Sequence, residues 1–279
     1  MDKFTTVHTG IINKLESQHQ QPVNYFLPLG AEKIPLNPLL GTTIRLSYQQ
    51  HIFCIHCGRK IKKSFNQGYC FPCTQRLAAC DLCIVKPELC HYAQGTCREP
   101  QWADQHCMLT HVVYLALTSG VKVGITRQSQ IPTRWIDQGA TLALPIYQVS
   151  NRLLAGLLEV TIATKIPDKT DWRRMLKYTP DHQDLLALRD RLWQEVHPKE
   201  QELLEKFGPH SVQKINLKES TPIQYPFRSL PEKIKALNFD TTAEIQGELL
   251  GIKGQYLLFD TGVLNMRKFA GYEIQLQHA

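Results

Sequence analysis

The sequence lacks long apolar runs and an N-terminal leader pattern. No stretch of about 18 consecutive apolar residues occurs, and a membrane-spanning helix needs roughly that length. The opening residues, MDKFTTVHTGIINKLE, contain no basic segment followed by an apolar core and a small-residue cleavage site. We therefore expect a cytoplasmic protein with no membrane partner.

Glycine and proline are not enriched, at 16 each among 279 residues, and hydrophobic residues make up 43%. This composition excludes a collagen-like chain and wholesale disorder, and the length allows one large domain or a few small ones. The chain also lacks the glycine-rich loops that hold nucleotide phosphates, the zinc-protease helix motif and the serine-hydrolase nucleophile turn. We therefore set those nucleotide-binding and hydrolase classes aside.

Acidic residues are missing from two long stretches, residues 33–80 and 105–136, and collect instead between residues 181 and 205. The net charge is +7. A surface that carries only positive charge attracts polyanions such as DNA or RNA, and basic-aromatic segments also allow stacking on bases. The candidate nucleic-acid contacts are Lys60, Lys62, Lys63, Arg127, Trp172, Arg173 and Arg174.

Cysteine is absent outside residues 54–107, where nine cysteines are concentrated. An odd number of thiols arranged as Cys-x-x-Cys pairs favours metal ligation over disulfides in a reducing compartment. The pairs Cys54–Cys57 and Cys70–Cys73 have the spacing of a zinc ribbon, in which two tight turns bring four thiolates around one Zn²⁺ ion. We expect a structural zinc site here.

The remaining thiols predict a second metal site with less regular spacing. A second structural zinc ion is the preferred interpretation, and an iron–sulfur cluster held by four thiolates is the alternative. The preferred ligands are Cys80, Cys83, Cys90 and Cys97, with Cys107 as a substitute and with His91 and His106 left open.

The hydrophobic pattern predicts an α+β protein in four segments. Residues 1–53 and 209–279 contain short alternating β-runs and are expected to pack together as a small β-barrel-like domain. Residues 54–107 form the cysteine-rich zinc-binding block, and residues 108–208 form an α/β core with C-terminal helices. Within this core, HVVYLALT and VKVGIT predict a tight hairpin, followed by a short helix, a third strand and an apolar helix.

The stretch HVVYLALTSGVKVGITRQSQIPTRWIDQGA resembles the GIY-YIG nuclease superfamily, in particular a divergent branch with a Lys-Val-Gly-Ile-Thr second motif. The whole chain also resembles a little-characterised bacterial family that joins a cysteine-rich block to such a core. The resemblance implies a three-stranded sheet with flanking helices and single-metal hydrolysis of phosphodiester bonds with Mg²⁺ or Mn²⁺. The residues that match the superfamily's site are Tyr114, Gly124, Arg134 and Glu159, with Lys122 standing where the second tyrosine is usual.

By this resemblance, Tyr114 would help to activate water, Arg134 would hold a phosphate oxygen and Glu159 would bind the metal ion. Strand alternation independently places Tyr114, Lys122 and Gly124 on one face, where the glycine would leave room for a phosphate. Glu159 interrupts an apolar helix and therefore needs a partner, such as an arginine or a metal. The alternative for each residue is an ordinary structural role.

We therefore predict a zinc-containing nucleic-acid-binding protein with a GIY-YIG-like core, and leave open whether the core is an endonuclease. One alternative is a non-catalytic module whose zinc-stapled loops dock a protein partner. The other is an iron–sulfur or redox sensor that uses the surplus cysteines.

Overall fold

The computed structural model describes residues 4, 6–166, 171–177, 183–230 and 234–278. Its strands are β1 (Thr6–Ile11), β2 (Glu16–Gln18), β3 (Asn24–Leu29), β4 (Glu32–Pro35), β5 (Thr43–Phe53), β6 (Lys60–Ile61), β7 (His111–Leu117), β8 (Val121–Arg127), β9 (Leu142–Val149), β10 (Val212–Lys214), β11 (Thr221–Pro222), β12 (Glu244–Lys253), β13 (Tyr256–Phe259), β14 (Gly262–Asn265) and β15 (Tyr272–His278). Its helices are α1 (Phe71–Arg76), α2 (Pro100–His106), α3 (Thr133–Asp137), α4 (Arg152–Ala163), α5 (Trp172–Lys177), α6 (Leu185–Glu195) and α7 (His197–Phe207). The predicted α+β class is confirmed.

The chain divides into two compact units that interleave along the sequence. The first unit comprises Met1–Gln75, Ile136–Gly139 and Gln224–Ala279, and the second comprises Arg76–Trp135 and Ala140–Ile223. The first four cysteines of the chain belong to the first unit and the other five belong to the second. None of the helices in the described ranges is long and apolar enough to cross a bilayer.

The first unit is built on an antiparallel sheet that combines strands from both ends of the chain. β1 pairs with β15, β15 with β5, and β5 with β12. β13 and β14 continue from β12 as a meander, β6 pairs with β5, and β2, β3 and β4 form a separate small sheet. The predicted packing of the two terminal segments is therefore confirmed, and it provides each terminal strand with a hydrogen-bonding neighbour.

The second unit has an antiparallel sheet in the order β10–β9–β7–β8, with β11 also paired to β9. The three predicted strands form its centre, and the short strands β10 and β11 extend it beyond the prediction. Every residue of β7 is buried. Val113 and Leu115 on one face of β7 share a core with Leu154 and Leu158 of α4, while the ring of Tyr114 on the other face meets Trp135 at 5.9 Å.

Two helices of the second unit, α4 and α6, begin where capping side chains satisfy their first backbone N–H groups. The side chain of Asn151 accepts a hydrogen bond of 3.1 Å from the N–H of Leu154 and so caps α4. Asp184 caps α6 in the same way, through the N–H groups of Leu186 and Ala187. The first of the predicted C-terminal helices beyond α5 is α6, which begins at Leu185, and residues 178–182 before it lie outside the described residues.

Candidate functional site

The four cysteines of the predicted zinc ribbon come together in the first unit. Their sulfur atoms all lie within 4.8 Å of one another, and the sulfurs of Cys57 and Cys70 are 3.8 Å apart. Cys57 is exposed, whereas Cys54, Cys70 and Cys73 are buried. Four thiolates about 2.3 Å from one ion form the tetrahedral site that zinc prefers. The predicted cluster is confirmed, and its donor set is compatible with zinc.

Two tight turns bring these thiols together. In the first turn, which joins β5 to β6, the N–H of Gly58 donates to the carbonyl of Cys54, and the N–H of Cys54 donates to the carbonyl of Arg59, both at 2.9 Å. In the second, the N–H of Thr74 donates to the carbonyl of Cys70 at 3.1 Å as α1 begins. Each Cys-x-x-Cys pair is therefore fixed by local backbone hydrogen bonds, which is why its spacing in the sequence was informative.

The thiols of this cluster differ in their acidity. Burial raises the pKa of Cys54, but hydrogen bonds from the backbone of Cys57 and Cys70 outweigh burial and lower that pKa to about 6. Burial and the neighbouring thiols raise the pKa of Cys73 to about 12. Thiols this close repel one another when ionised, so all four become thiolates only beside a compensating cation.

An exposed basic surface adjoins the four-cysteine cluster. It carries four exposed cations, Arg59, Lys60, Lys62 and Lys63, which form no ion pair with any residue that the structure describes. Phe71 is 57% exposed, its ring meets that of Phe65 edge-on at 5.7 Å, and the Nζ of Lys63 lies 5.4 Å from the centre of the Phe65 ring. We define the knuckle surface as Arg59, Lys60, Lys62, Lys63, Phe65 and Phe71.

A cleft of about 620 Å³ shares Lys62 and Lys63 with the knuckle surface. The rings of Tyr48 and Tyr272 also line it, 5.0 Å apart, and the hydroxyl of Tyr272 donates a 2.7 Å hydrogen bond to Asp240. Tyr272 is buried and Tyr48 is half-buried, so Tyr48 is the more accessible ring. Sequence reasoning missed this cleft because its tyrosines come from strands near opposite ends of the chain.

Tyr114 and Gly124 face each other across the β7–β8 hairpin, as strand alternation predicts. The space beside Gly124 is not open, however, because a side chain added there would place its Cβ 2.7 Å from the hydroxyl oxygen of Tyr114. Tyr114 is 0% exposed. The room expected for a phosphate is therefore filled by the Tyr114 ring. Lys122, on the same face, is half-buried.

Glu159 is half-buried on α4, and this helix packs on the face of β7 that carries Val113 and Leu115. Tyr114 lies on the opposite face. The structure therefore does not bring the phenol and the carboxylate to one face of the sheet, because the apolar side of α4 covers the face that Tyr114 does not occupy. The sequence indicated that α4 is apolar but not which face of the sheet it covers.

One arginine, Arg152, interacts electrostatically with both Glu159 and Arg134. Burial lowers the pKa of Arg152, while Cys107, Cys83 and Glu159 raise it and the charge of Arg134 lowers it further. Arg134 is half-buried. Arg134 and Glu159 thus share Arg152 as a charged neighbour. This arginine provides the charged partner that Glu159 was expected to need.

The other predicted nucleic-acid contacts lie in the second unit. Arg127 is half-buried at the end of β8. Arg173 and Arg174 are exposed on α5, where their N–H groups donate to Asp171. The guanidinium of Arg173 lies 4.4 Å from the centre of the Trp172 ring, so a cation of the chain itself already covers one face of this indole.

The second set of cysteines surrounds a small cavity in the second unit. Cys83, Cys90, Cys97 and Cys107 line this cavity, and Cys80 is not among its described lining residues. Sequence reasoning also missed Arg98, whose Nε lies 2.6 Å from a carboxylate oxygen of Asp81 beside this cavity. Asp81 lies between Cys80 and Cys83 in the sequence. Because an acid among metal-binding thiols needs a cation nearby, this position was the available signal for an arginine such as Arg98.

Comparisons with known proteins identify a family but no function. A family model described as "Protein of unknown function (DUF2797)" matches residues 41–274. Neither the curated proteins nor the solved structures contain a match to the chain. Since the matched range includes all nine cysteines, the whole sheet of the second unit and most of the sequence, the chain belongs to the DUF2797 family.

Proposed function

We propose that this protein is a zinc-containing, cytoplasmic nucleic-acid-binding protein whose knuckle surface contacts phosphates. The observation that carries the proposal is the group of four exposed cations on this surface, which have no acidic partner among the described residues. A Lys or Arg that contacts a phosphate displaces condensed counterions and adds affinity without reading sequence. A partner with regularly spaced negative charges therefore suits the knuckle surface.

The four-cysteine cluster supports this role by fixing the loops that carry the cations. The knuckle surface lies within residues 59–71, between Cys57 and Cys73. A zinc ion held by these thiols would close the two turns against each other and keep the cations at constant spacing. Zinc here is structural, because four thiolates leave no coordination position for substrate or water.

The cleft favours a single strand over a duplex. Bases of single-stranded DNA or RNA are free to stack on aromatic side chains, and each such contact contributes about 1–3 kcal/mol. Lys62 and Lys63 belong to both the cleft and the knuckle surface, and Tyr48 presents a half-buried ring within the cleft. A strand whose phosphates lie on these lysines would bring a base within reach of Tyr48.

The proposal assigns no cleavage to the GIY-YIG-like core. The order β7, β8, α3, β9 and α4 repeats the strand, hairpin, helix and later helix that the motifs imply. The buried Tyr114 and the position of α4 on the opposite face argue against an assembled catalytic set with Mg²⁺ or Mn²⁺. Fold resemblance by itself does not carry activity.

The test measures binding of the full chain to a fluorescent oligothymidylate and to a labelled duplex while the salt concentration increases. We expect tighter binding to the single strand and an affinity that falls steeply with salt. The double variant Lys60→Gln/Lys62→Gln should bind more weakly and should lower the log–log salt slope by about 1.4, since each lost single-strand phosphate contact removes roughly 0.7.

The matched control is Lys33→Gln/Lys218→Gln, which removes the same charge from exposed lysines outside the knuckle surface. It should leave both affinity and slope nearly unchanged. Salt-independent binding, or an equal effect of the two double variants, would contradict the proposal. Cleavage of either probe in Mg²⁺ or Mn²⁺ that Glu159→Gln abolishes would establish the nuclease instead, and a failure to bind either probe would favour a protein partner.

A further inference from the structure

Four of the five cysteines in the second unit line one small enclosed space. The cavity has a volume of about 10 Å³, which is the space of roughly one water-sized sphere. Its cysteines are Cys83, Cys90, Cys97 and Cys107. A space of this size accommodates a single ion, whereas an iron–sulfur cluster needs room for several metal and sulfide atoms.

The segment that carries these thiols has little else to hold it in place. Residues 78–94 form only short 3₁₀ turns joined by irregular backbone. Its larger apolar side chains point outward, with Leu82 56%, Val85 73% and Leu89 49% exposed. Because a segment that buries so little apolar surface gains little stability from packing, a bound metal is the usual source of its folding free energy.

Two arginines, Arg152 and Arg98, lie close to the four cysteines, where a metal ion bound by four thiolates would need positive charge. A divalent ion with four thiolates carries two excess negative charges, and such a buried charge requires compensation. Arg152 donates a 2.6 Å hydrogen bond to the carbonyl of Ile84, and its charge interacts with Cys83 and Cys107. Arg98 also lines the cavity.

A competing ligand set lies beside these thiols. Ligand atoms of Asp81, Cys83 and His91 come within 4.8 Å of one another, whereas no three of the four lining thiols do so among the described residues. An ion bound by all four thiols would therefore draw their sulfur atoms closer together around the cavity. The carboxylate of Asp81 is already occupied, however, by Arg98 at 2.6 Å and by the N–H of Cys83 at 3.3 Å. The Nδ1 of His91 lies 2.8 Å from the Thr96 hydroxyl. The ion pair with Arg98 suits Asp81 to orienting a site and not to binding the ion. The Nε2 of His91 lies 3.6 Å from the Asp81 carboxylate, and because a hydrogen bond at Nδ1 does not occupy Nε2, this imidazole competes with the thiols and is tested by the variant His91→Gln below.

We propose that Cys83, Cys90, Cys97 and Cys107 bind a second zinc ion, which fastens the segment around residues 78–107 to α4. The attachment is direct, because the N–H of Arg152 donates to the carbonyl of Cys107 at 2.8 Å. Gly156 of α4 lies so close to this segment that an added Cβ would be 2.5 Å from the backbone nitrogen of Glu88. The proposal is independent of nucleic-acid binding, since its residues all lie in the second unit.

The experiment determines zinc in the untagged full chain and in single Cys→Ser variants. We expect about two zinc ions per wild-type chain and about one in each variant of the four lining cysteines. Cys80→Ser is the matched control, and it should retain both ions, as should His91→Gln. A wild-type chain with a single zinc ion, an iron-containing brown protein, or metal loss in Cys80→Ser but not in Cys107→Ser would overturn the proposal.

A second measurement avoids variants that fail to fold. X-ray absorption at the zinc edge of the wild-type chain should show sulfur alone, with about four sulfur atoms per zinc at roughly 2.3 Å. Zinc bound to imidazole or carboxylate has shorter bonds of about 2.0–2.2 Å, so the spectrum distinguishes these ligands from sulfur. A nitrogen or oxygen contribution of about one ligand in eight would place His91 or Asp81 in the site and would overturn the four-thiolate set.

Discussion

At the scale of single residues, Gly124 shows how the chain itself fills a space that the sequence seemed to reserve for a ligand. Glycine in a strand permits close approach of another group, and in this fold the approaching group is the Tyr114 ring. That ring is fully buried and also contacts Trp135. The requirement for glycine at this position is therefore explained by packing within the hairpin.

We predict that Gly124→Ala destabilises the protein by about 1–3 kcal/mol, because the added methyl group overpacks a site whose ring has no free space. If Gly124 served only catalysis, Gly124→Ala would instead stabilise the protein, since alanine in a strand is favoured over glycine by roughly 0.5–1 kcal/mol. Urea unfolding of the variant and wild type measures the difference.

The control is Gly120→Ala, because nothing lies within 4 Å of the Cβ that it would add. Its free energy of unfolding should stay within about 0.5 kcal/mol of wild type. Wild-type stability in Gly124→Ala would show that the Tyr114 ring can move aside, and the packing explanation would fail.

The cysteines mark the limit of prediction at this scale. Cys54, Cys57, Cys70 and Cys73 were assigned correctly because each pair is fixed by hydrogen bonds within its own turn. For the second set, spacing favoured Cys80 over Cys107, yet Cys107 lines the cavity. Cys107 follows α2, and its position depends on where that helix leads the chain, which local spacing does not encode.

At the scale of secondary structure, α4 was predicted as an apolar helix after the third strand, but its side of the sheet was not predicted. Its buried residues repeat at helical spacing, and they specify that one face of the helix is covered. Each face of β7 is also apolar, so the strand pattern offers α4 two equivalent docking faces. The choice depends on the connection from β9 and on the cysteine-bearing segment, which contacts α4 at Gly156.

We predict that Gly156→Ala weakens both the fold and the retention of the second zinc ion. Alanine is the better helix former by about 1 kcal/mol, but its methyl group would lie 2.5 Å from the backbone of Glu88. Backbone cannot rotate away as a side chain can, so we expect a net loss of about 1–3 kcal/mol. Unfolding in urea and zinc release to a coloured chelator measure the two effects.

Val160→Ala on the exposed side of the same helix is the control for these measurements. Val160 is 47% exposed, so its truncation should change stability by less than about 0.5 kcal/mol and leave zinc release unchanged. A Gly156→Ala variant that is more stable than wild type and keeps both ions would show that α4 does not depend on the cysteine-bearing segment.

At the scale of the whole molecule, the chain interleaves two units and assigns one set of cysteines to each. The packing of the two terminal segments was predicted because terminal strands need neighbours, and the structure shows it as the pairing of β1 and β5 with β15. The division of residues 54–107 at Gln75 and Arg76 was not predicted, because the cysteines read as one continuous block. Composition groups residues by chemistry, whereas units are defined by contacts between residues distant in sequence.

This division leads to a prediction about how metal loss affects binding. Cys70→Ser removes a ligand from the cluster beside the knuckle surface, whereas Cys83→Ser removes one from the cavity in the other unit. Each variant should lose about one zinc ion. Only Cys70→Ser should bind oligothymidylate more weakly, because only its metal keeps the loop cations at fixed spacing.

Affinity and zinc content measured on the same preparations of both variants separate the two proposals. If Cys83→Ser loses zinc and retains affinity, the second metal site exists and is not required for the strand to bind. If both variants lose affinity equally, loss of either ion acts through general unfolding of the protein. The knuckle surface is then not the binding surface. If Cys70→Ser loses its zinc but binds as tightly as wild type, the loop cations do not need the metal, and the contact with phosphates must be sought at Arg127, Arg173 or Arg174.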